Sequence, residues 1–262
     1  MGHTRIGRLY RSQVWKEVVA LFCIGADYEQ IAKVVLDAAS AGFNEIRLSQ
    51  DAGYQKAVDL LVQMGIAAQS GDFIGHMGKC GISLSVTSST QELMAKLAEA
   101  VDDAAWANGS VKTDPGEYAK LALVNAVSYC ANKELSQNIP GLTNDPDITI
   151  WKSFGSKINF ADLNQHFIAT VTARGLNAYM AQILPNLTGN VQRVSSIHEL
   201  NTSYKALAKH CLETASVHRV YSTEWLGKHE YKLKDINART IQRHANFMVK
   251  KMIRALRYGN GD

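Results

Sequence analysis

Apolar residues recur at intervals of three and four along most of the chain, which is the period of an amphipathic helix. The clearest example is a set of eight apolar or bulky residues separated by alternating intervals of four and three, namely Leu200, Tyr204, Leu207, Cys211, Thr214, His218, Tyr221 and Trp225. One continuous helix places all of them on a single packing face. The segment 197–226 is therefore predicted to be one helix.

Short polar residues followed three positions later by an acid or an amide mark several helix starts, because the two side chains satisfy backbone N–H groups reciprocally. Ser89 with Glu92 fits this pattern, Asp114 precedes a proline suited to the first helical position, and Asn237 is predicted to cap the last helix. Together with the periodicity, these signals predict helices over 11–24, 28–40, 51–68, 90–107, 115–135, 146–154, 160–184, 197–226 and 237–257.

The whole pattern predicts an all-α multi-helix bundle with little or no β-structure. Only 45–48 and 82–87 have strand-like composition. Two helical lobes, 1–140 and 141–262, are predicted on either side of the polar loop QNIPGLTNDPD, and one single domain is the alternative. The glycine-rich segment Gly71–Gly81 is predicted to be an irregular connection, because it lacks the glycine and the hydroxyl residue that a phosphate-binding loop requires.

Composition places the chain among globular proteins, with 46 % hydrophobic and 20 % charged residues. No apolar run is long enough for a membrane span, and no export signal is recognised, so no membrane association is expected. The four cysteines are scattered without a C-x-x-C pair, which favours free thiols and a cytoplasmic location.

Charge is unevenly distributed, because the segment from Lys228 to Arg257 holds nine Lys or Arg and two acids, a net charge of +7 in a chain of +4. Candidate binding residues for a nucleic acid or an acidic partner are Arg5, Arg8, Arg11, Arg239, Arg243, Lys250, Lys251, Arg254 and Arg257. A phosphate-binding surface and a merely solvated face are both compatible with this pattern. No aromatic residue is recognised within the stripe on the last helix, which argues against base stacking.

The stretch KHCLETASVHRV, Lys209 to Val220, concentrates residues that bind metals or perform catalysis. Cys211 and His218 lie seven residues apart, about 10 Å along a helix, which is too far for both to bind one zinc ion. The candidates for a metal site are His198, His210 and Glu213, and they do not complete a set of ligands. No catalytic residue, metal or cofactor is therefore predicted, and Cys211 and His218 are predicted to pack in the core.

Two segments, HCLETA (His210 to Ala215) and WLGK (Trp225 to Lys228), resemble parts of conserved bacterial proteins of unassigned function, and the resemblance implies no activity. The expected function is that of a non-catalytic helical subunit or adaptor in a bacterial multi-protein assembly. Its expected partners are other protein subunits, and DNA or RNA through the basic termini. One alternative is a nucleic-acid-binding protein that uses the last helix. The other is a metal- or Cys/His-dependent enzyme whose site is assembled between helices.

Overall fold

The computed structural model describes residues 17, 30, 34–35, 48–107, 112–137, 146–187, 197–229 and 236–258. A short 3₁₀ turn, Leu48–Gln50, precedes the helices α1 (Ala52–Ser70), α2 (Phe73–Lys79), α3 (Thr90–Ala107), α4 (Asp114–Gln137), α5 (Pro146–Ser153), α6 (Lys157–Leu187), α7 (Ile197–Thr214), α8 (Val217–His229) and α9 (Ala238–Tyr258). No strand occurs among these residues, and the prediction of an all-α bundle is confirmed.

Helix α1 lies at the centre of the bundle and contacts α3, α4, α5 and α9. It begins at Asp51, whose side chain accepts a hydrogen bond from the backbone N–H of Tyr54 at 2.9 Å, and it ends at Gly71, whose φ of +78° suits glycine. Tyr54, Leu61 and other apolar residues at helical spacing are completely buried. The predicted helix 51–68 is therefore present.

The first turns of α1 and α4 approach each other closely at two glycines. A Cβ atom on Gly53 would lie 2.7 Å from the Cα atom of Gly116, so the position of Gly53 has no room for a side chain. The hydroxyl of Thr113 donates to Asp51 and accepts from the backbone N–H of Gly116 at 3.0 Å. Thr113 thus caps α4, and the prediction that Asp114 performs this role is wrong.

Among the described helices, α4 and α6 share the most extensive contact, and α8 packs on the same helix α6. Buried residues on both sides of the predicted lobe boundary belong to one apolar core, with Leu123 of α4 and Phe167 of α6 as examples. The loop between α4 and α5, residues 138–145, lies outside the described residues, and the division into two lobes stays a prediction.

The glycine-rich segment was expected to be irregular, and this expectation is wrong, because it contains the helix α2. The carboxylate of Asp72 caps this helix by accepting from the backbone N–H of Gly75 at 2.9 Å. Phe73 and Met77, one helical turn apart, are buried, and Phe73 stacks on Trp151 at 5.4 Å between ring centroids. Two buried side chains on one face thus outweigh the low helix propensity of glycine.

The prediction of one helix over 197–226 is also wrong, because a turn at residues 215–216 separates α7 from α8. The side chain of Gln165 on α6 donates to the backbone carbonyl of Leu212 at 3.0 Å, which satisfies an acceptor at the end of α7. Leu207, Cys211 and His218 are nevertheless buried, as the periodicity predicts.

Several predicted segments are not helical or lie outside the described residues. Residues 82–87 form an irregular connection without a strand, and 45–47 lie outside. The predicted helices 11–24 and 28–40 are described only at residues 17, 30, 34 and 35, which are helical.

Candidate functional site

Helix α9 combines the strongest amphipathic pattern with the highest charge among the described helices. Asn237 caps it, as predicted, by accepting from the backbone N–H of Thr240 at 3.1 Å. The inner face is buried against the bundle and consists of Ile241, Ala245, Met248, Met252 and Leu256. The predicted apolar face is therefore the face that packs.

Two polar contacts fix α9 on its neighbours. The phenol of Tyr54 on α1 donates to the backbone carbonyl of Ala245 at 3.3 Å. The ring nitrogen Nε2 of His244 lies 3.0 Å from the Oδ1 atom of Asn164 on α6, and both side chains are buried. Since both contacts are on the inner face, they hold the orientation in which α9 presents its outer face.

The outer face of α9 carries cations that no acid among the described residues neutralises. Arg239, Arg243, Lys250 and Arg254 are exposed, and Lys251 is partly buried. We call these five residues the basic face. Within the part of the chain that the structure describes, none of them forms an ion pair with a carboxylate. The helix itself contains no Asp or Glu.

The remaining predicted cations are described less completely. Arg257 lies in the last turn of α9, but its side chain is outside the description. Arg5, Arg8 and Arg11 lie outside the described residues. The structure therefore brings together five of the nine predicted binding residues.

An aromatic residue lies among the cations of the basic face, so the expectation that none does is wrong. Phe247 is 40 % exposed and stacks on the half-buried Tyr221 of α8, with ring centroids 4.0 Å apart. The ammonium group of Lys251 lies 5.8 Å from the Phe247 centroid and 5.9 Å from the Tyr221 centroid, within the range of a cation–π contact. The position of Phe247 in the sequence could have predicted this placement. At 3.6 residues per turn, Phe247 points only about 20° away from Arg254.

Two buried polar side chains lie next to this surface, on the side of α8 that faces the core. The ring nitrogens of His218 and the hydroxyl of Ser222 have no hydrogen-bond partner among the described residues, although both residues are fully buried. Burial, and secondarily the positive charge of Lys251, lowers the pKa of His218 to about 3. His218 is therefore an uncharged core residue at neutral pH.

The cysteine and histidine stretch of α7 does not form a catalytic pair. Cys211 is completely buried, and burial raises the pKa of its thiol, which disfavours the reactive thiolate. The Nδ1 atom of His210 lies 3.6 Å from the Oε2 atom of Glu213 one turn away, on the partly exposed side of the helix. His198 is in the first turn of α7, and its side chain is outside the description.

No metal site is formed by the side chains that the structure describes. Among them, no group of three or more His, Cys, Asp or Glu is arranged to hold a metal ion. His210 and Glu213 are close together, but they supply only two ligands, whereas a zinc site needs at least three from the protein.

A second group of cations, at the contact of α4, α6 and α8, shares a buried carboxylate. We call this group the Asp162 junction. The buried carboxylate of Asp162 contacts the Nζ atom of Lys133 at 2.7 Å and the Nη2 atom of Arg219 at 3.0 Å. Nearby, Tyr129 stacks on His166 with ring centroids 3.5 Å apart. The polar contacts of Asp162 with Lys133 and Arg219 are made within the protein, which is typical of a group that stabilises the fold.

An open groove of about 350 Å³ lies between α1, α3 and α9. Its lining includes Lys56 and Asp59, which form an ion pair at 3.4 Å, as well as Ala238 and Gln242 of α9. Because its two charges are paired, the groove has no local excess of either sign.

Comparison with known proteins gives no relative from which a function can be transferred: no family model, curated protein or solved structure matches the chain. None of the described helices combines the length and the apolar character that a membrane crossing requires.

Proposed function

We propose that the protein acts by binding rather than by catalysis, and that its basic face binds the phosphate backbone of a nucleic acid. The observation that carries this proposal is the absence of carboxylate partners for Arg239, Arg243, Lys250 and Arg254 among the described residues. Membership of a larger assembly with other protein subunits remains part of the proposal.

The spacing of the charges supports a binding role over a merely solvated face. Other helices place opposite charges one turn apart, as in the pairs Glu92–Lys96 and Lys209–Glu213. On α9 the corresponding positions carry like charges, because Arg239 and Arg243 are four residues apart, as are Lys250 and Arg254. Each such pair destabilises an isolated helix by about 0.2–0.5 kcal/mol, so an external anion would relieve the repulsion.

The helix dipole accounts for only part of this arrangement. Cations near the last turn, such as Arg254, are favoured by the partial negative charge at that end. Arg239 lies in the first turn of α9, where the dipole is positive and a cation is disfavoured. A binding surface that extends along the whole helix accounts for the cations at both ends of α9.

The chemistry of the side chains suits phosphate groups. A guanidinium group presents several N–H donors in a plane and binds phosphate oxygens in pairs, while a lysine ammonium acts as a compact charge. Neutralising phosphates releases condensed counterions, so binding through the basic face weakens steeply as salt increases.

The test compares two triple charge reversals that change net charge equally. Binding of a labelled duplex and a labelled single strand is measured by fluorescence anisotropy at several salt concentrations. Arg243→Glu with Lys250→Glu and Arg254→Glu is expected to abolish binding. The matched control reverses three exposed lysines on other helices, Lys152, Lys205 and Lys209, and is expected to reduce binding only slightly.

Equal losses in both triple variants would show that net charge, and not the basic face, attracts the nucleic acid. Absence of binding by the unaltered protein at low salt would overturn the proposal. In that case, capture of a polyglutamate peptide by the unaltered protein but not by the α9 variant would identify an acidic protein as the partner.

A further inference from the structure

The aromatic residues beside the basic face form a continuous stack from the core to the surface. Asn164 holds the buried ring of His244, Tyr221 stacks on that ring with centroids 5.5 Å apart and planes 15° apart, and Phe247 stacks on Tyr221. The exposed end of the stack is thus supported by rings that become more buried with each step inward. Such support fixes the orientation of Phe247.

The position of Phe247 distinguishes it from other exposed apolar side chains. A single exposed apolar residue is ordinary on a protein surface. Phe247, however, lies on the same helix surface as Arg243 and Arg254, and Lys251 contacts its ring. Exposed aromatic rings beside a row of cations are the arrangement with which proteins bind single strands, where the cations follow the backbone and the rings stack on bases.

We infer that Phe247, supported by Tyr221, is a base-stacking platform and that the basic face binds single-stranded nucleic acid in preference to duplex. This inference rests on the proposed binding of phosphates by the same face. In a duplex the bases are already stacked on each other, so an exposed ring gains nothing from them. In a single strand any base offers a free face, so the contact does not depend on sequence.

The Asp162 junction provides a matched control for the aromatic residue. Tyr129 is 43 % exposed and stacked on a histidine, much as Phe247 is exposed and stacked on Tyr221. Its neighbour Lys133, however, is held by Asp162. Truncation of either ring removes a similar exposed aromatic surface. Of the two rings, Phe247 adjoins cations that have no carboxylate partner among the described residues.

The experiment measures the affinity of the full chain for labelled oligothymidine and for the same strand annealed to oligoadenine. Phe247→Ala is expected to weaken single-strand binding by about 5- to 150-fold, the effect of losing one stacked base, and to change duplex binding less than about twofold. Phe247→Trp is expected to restore single-strand binding, and Tyr129→Ala to leave both affinities unchanged. Circular dichroism establishes that each variant is folded.

The outcomes separate the two proposals. If Phe247→Ala changes neither affinity, or both equally, while the triple reversal on α9 abolishes binding, stacking is overturned and phosphate binding stands. If the unaltered protein binds neither probe, both proposals are overturned.

Discussion

Cations of the same kinds have opposite surroundings at the Asp162 junction and on the basic face. At the junction, Lys133 and Arg219 share one buried carboxylate that has only 5 % of its side chain exposed. On α9, Arg243 and Arg254 extend from the surface without a carboxylate partner among the described residues. The position of a cation on the surface therefore does not by itself predict a binding site. A cation that is paired with a carboxylate of the protein attracts an external anion less than an unpaired cation does.

Removal of the shared carboxylate is expected to have the largest effect on stability. Asp162→Asn removes the carboxylate that Lys133 and Arg219 share, and unfolding in urea is expected to show a loss of about 2–3 kcal/mol. The loss is not larger, because both cations are partly exposed and regain water. Binding of nucleic acid should be unchanged. A stability within 0.5 kcal/mol of the unaltered protein, on the order of an ordinary surface change, would contradict a structural role for the junction.

Acidification tests a third kind of basic group, the buried His218, whose ring nitrogens have no hydrogen-bond partner among the described residues. The unfolded chain binds a proton at His218 below about pH 6.5, whereas the folded protein binds it only near pH 3. Stability is therefore complete above pH 6.5 and falls as the pH is lowered towards 3. Between pH 7 and pH 5 the loss from this group is about 2 kcal/mol, measured as the change in the free energy of unfolding.

His218→Leu isolates this contribution, because leucine does not titrate. The variant is expected to lose about 2 kcal/mol less than the unaltered protein between the same two pH values, whatever its stability at pH 7. An identical pH dependence in both proteins would show that His218 is able to take up a proton in the folded state.

The smallest effect on stability is expected for the triple variant on α9, which is also expected to have the largest effect on binding. Arg243→Glu with Lys250→Glu and Arg254→Glu changes exposed side chains that form no ion pair with the described residues. The free energy of unfolding should therefore move by less than about 0.5 kcal/mol for each substitution. Thermal unfolding followed by circular dichroism checks this. A large loss of stability would show that these cations are part of the fold, and would remove the contrast with the Asp162 junction.

Local signals in the sequence predicted much of α9 and little of the junction. Asn237 and the apolar spacing of Ile241, Ala245 and Met248 lie within one helix, so the cap and the buried face followed from the sequence alone. The junction joins Lys133, Asp162 and Arg219 from three helices. No local pattern in the sequence indicates which helices pack together. The Asp162 junction was therefore not predicted.

The features that the sequence analysis missed have physical reasons. The interval of three and four continues from Cys211 to His218 across the turn between α7 and α8, so periodicity could not reveal the break. Phe247 is neither part of the buried face nor a cation. Only its angular position on the helix shows that it lies among the cations. Its stacking on Tyr221 depends on how α8 packs against α9.

The contacts of Tyr54 and Asn164 with the inner face of α9 orient a helix whose length separates its cations. Arg239 and Arg254 lie fifteen residues apart on a helix that cannot stretch, which separates them by about 22 Å. Measured along the axis of a duplex, this distance corresponds to about six to seven phosphates of one strand. If the basic face binds phosphates as proposed, an anion shorter than about 22 Å would contact only part of it.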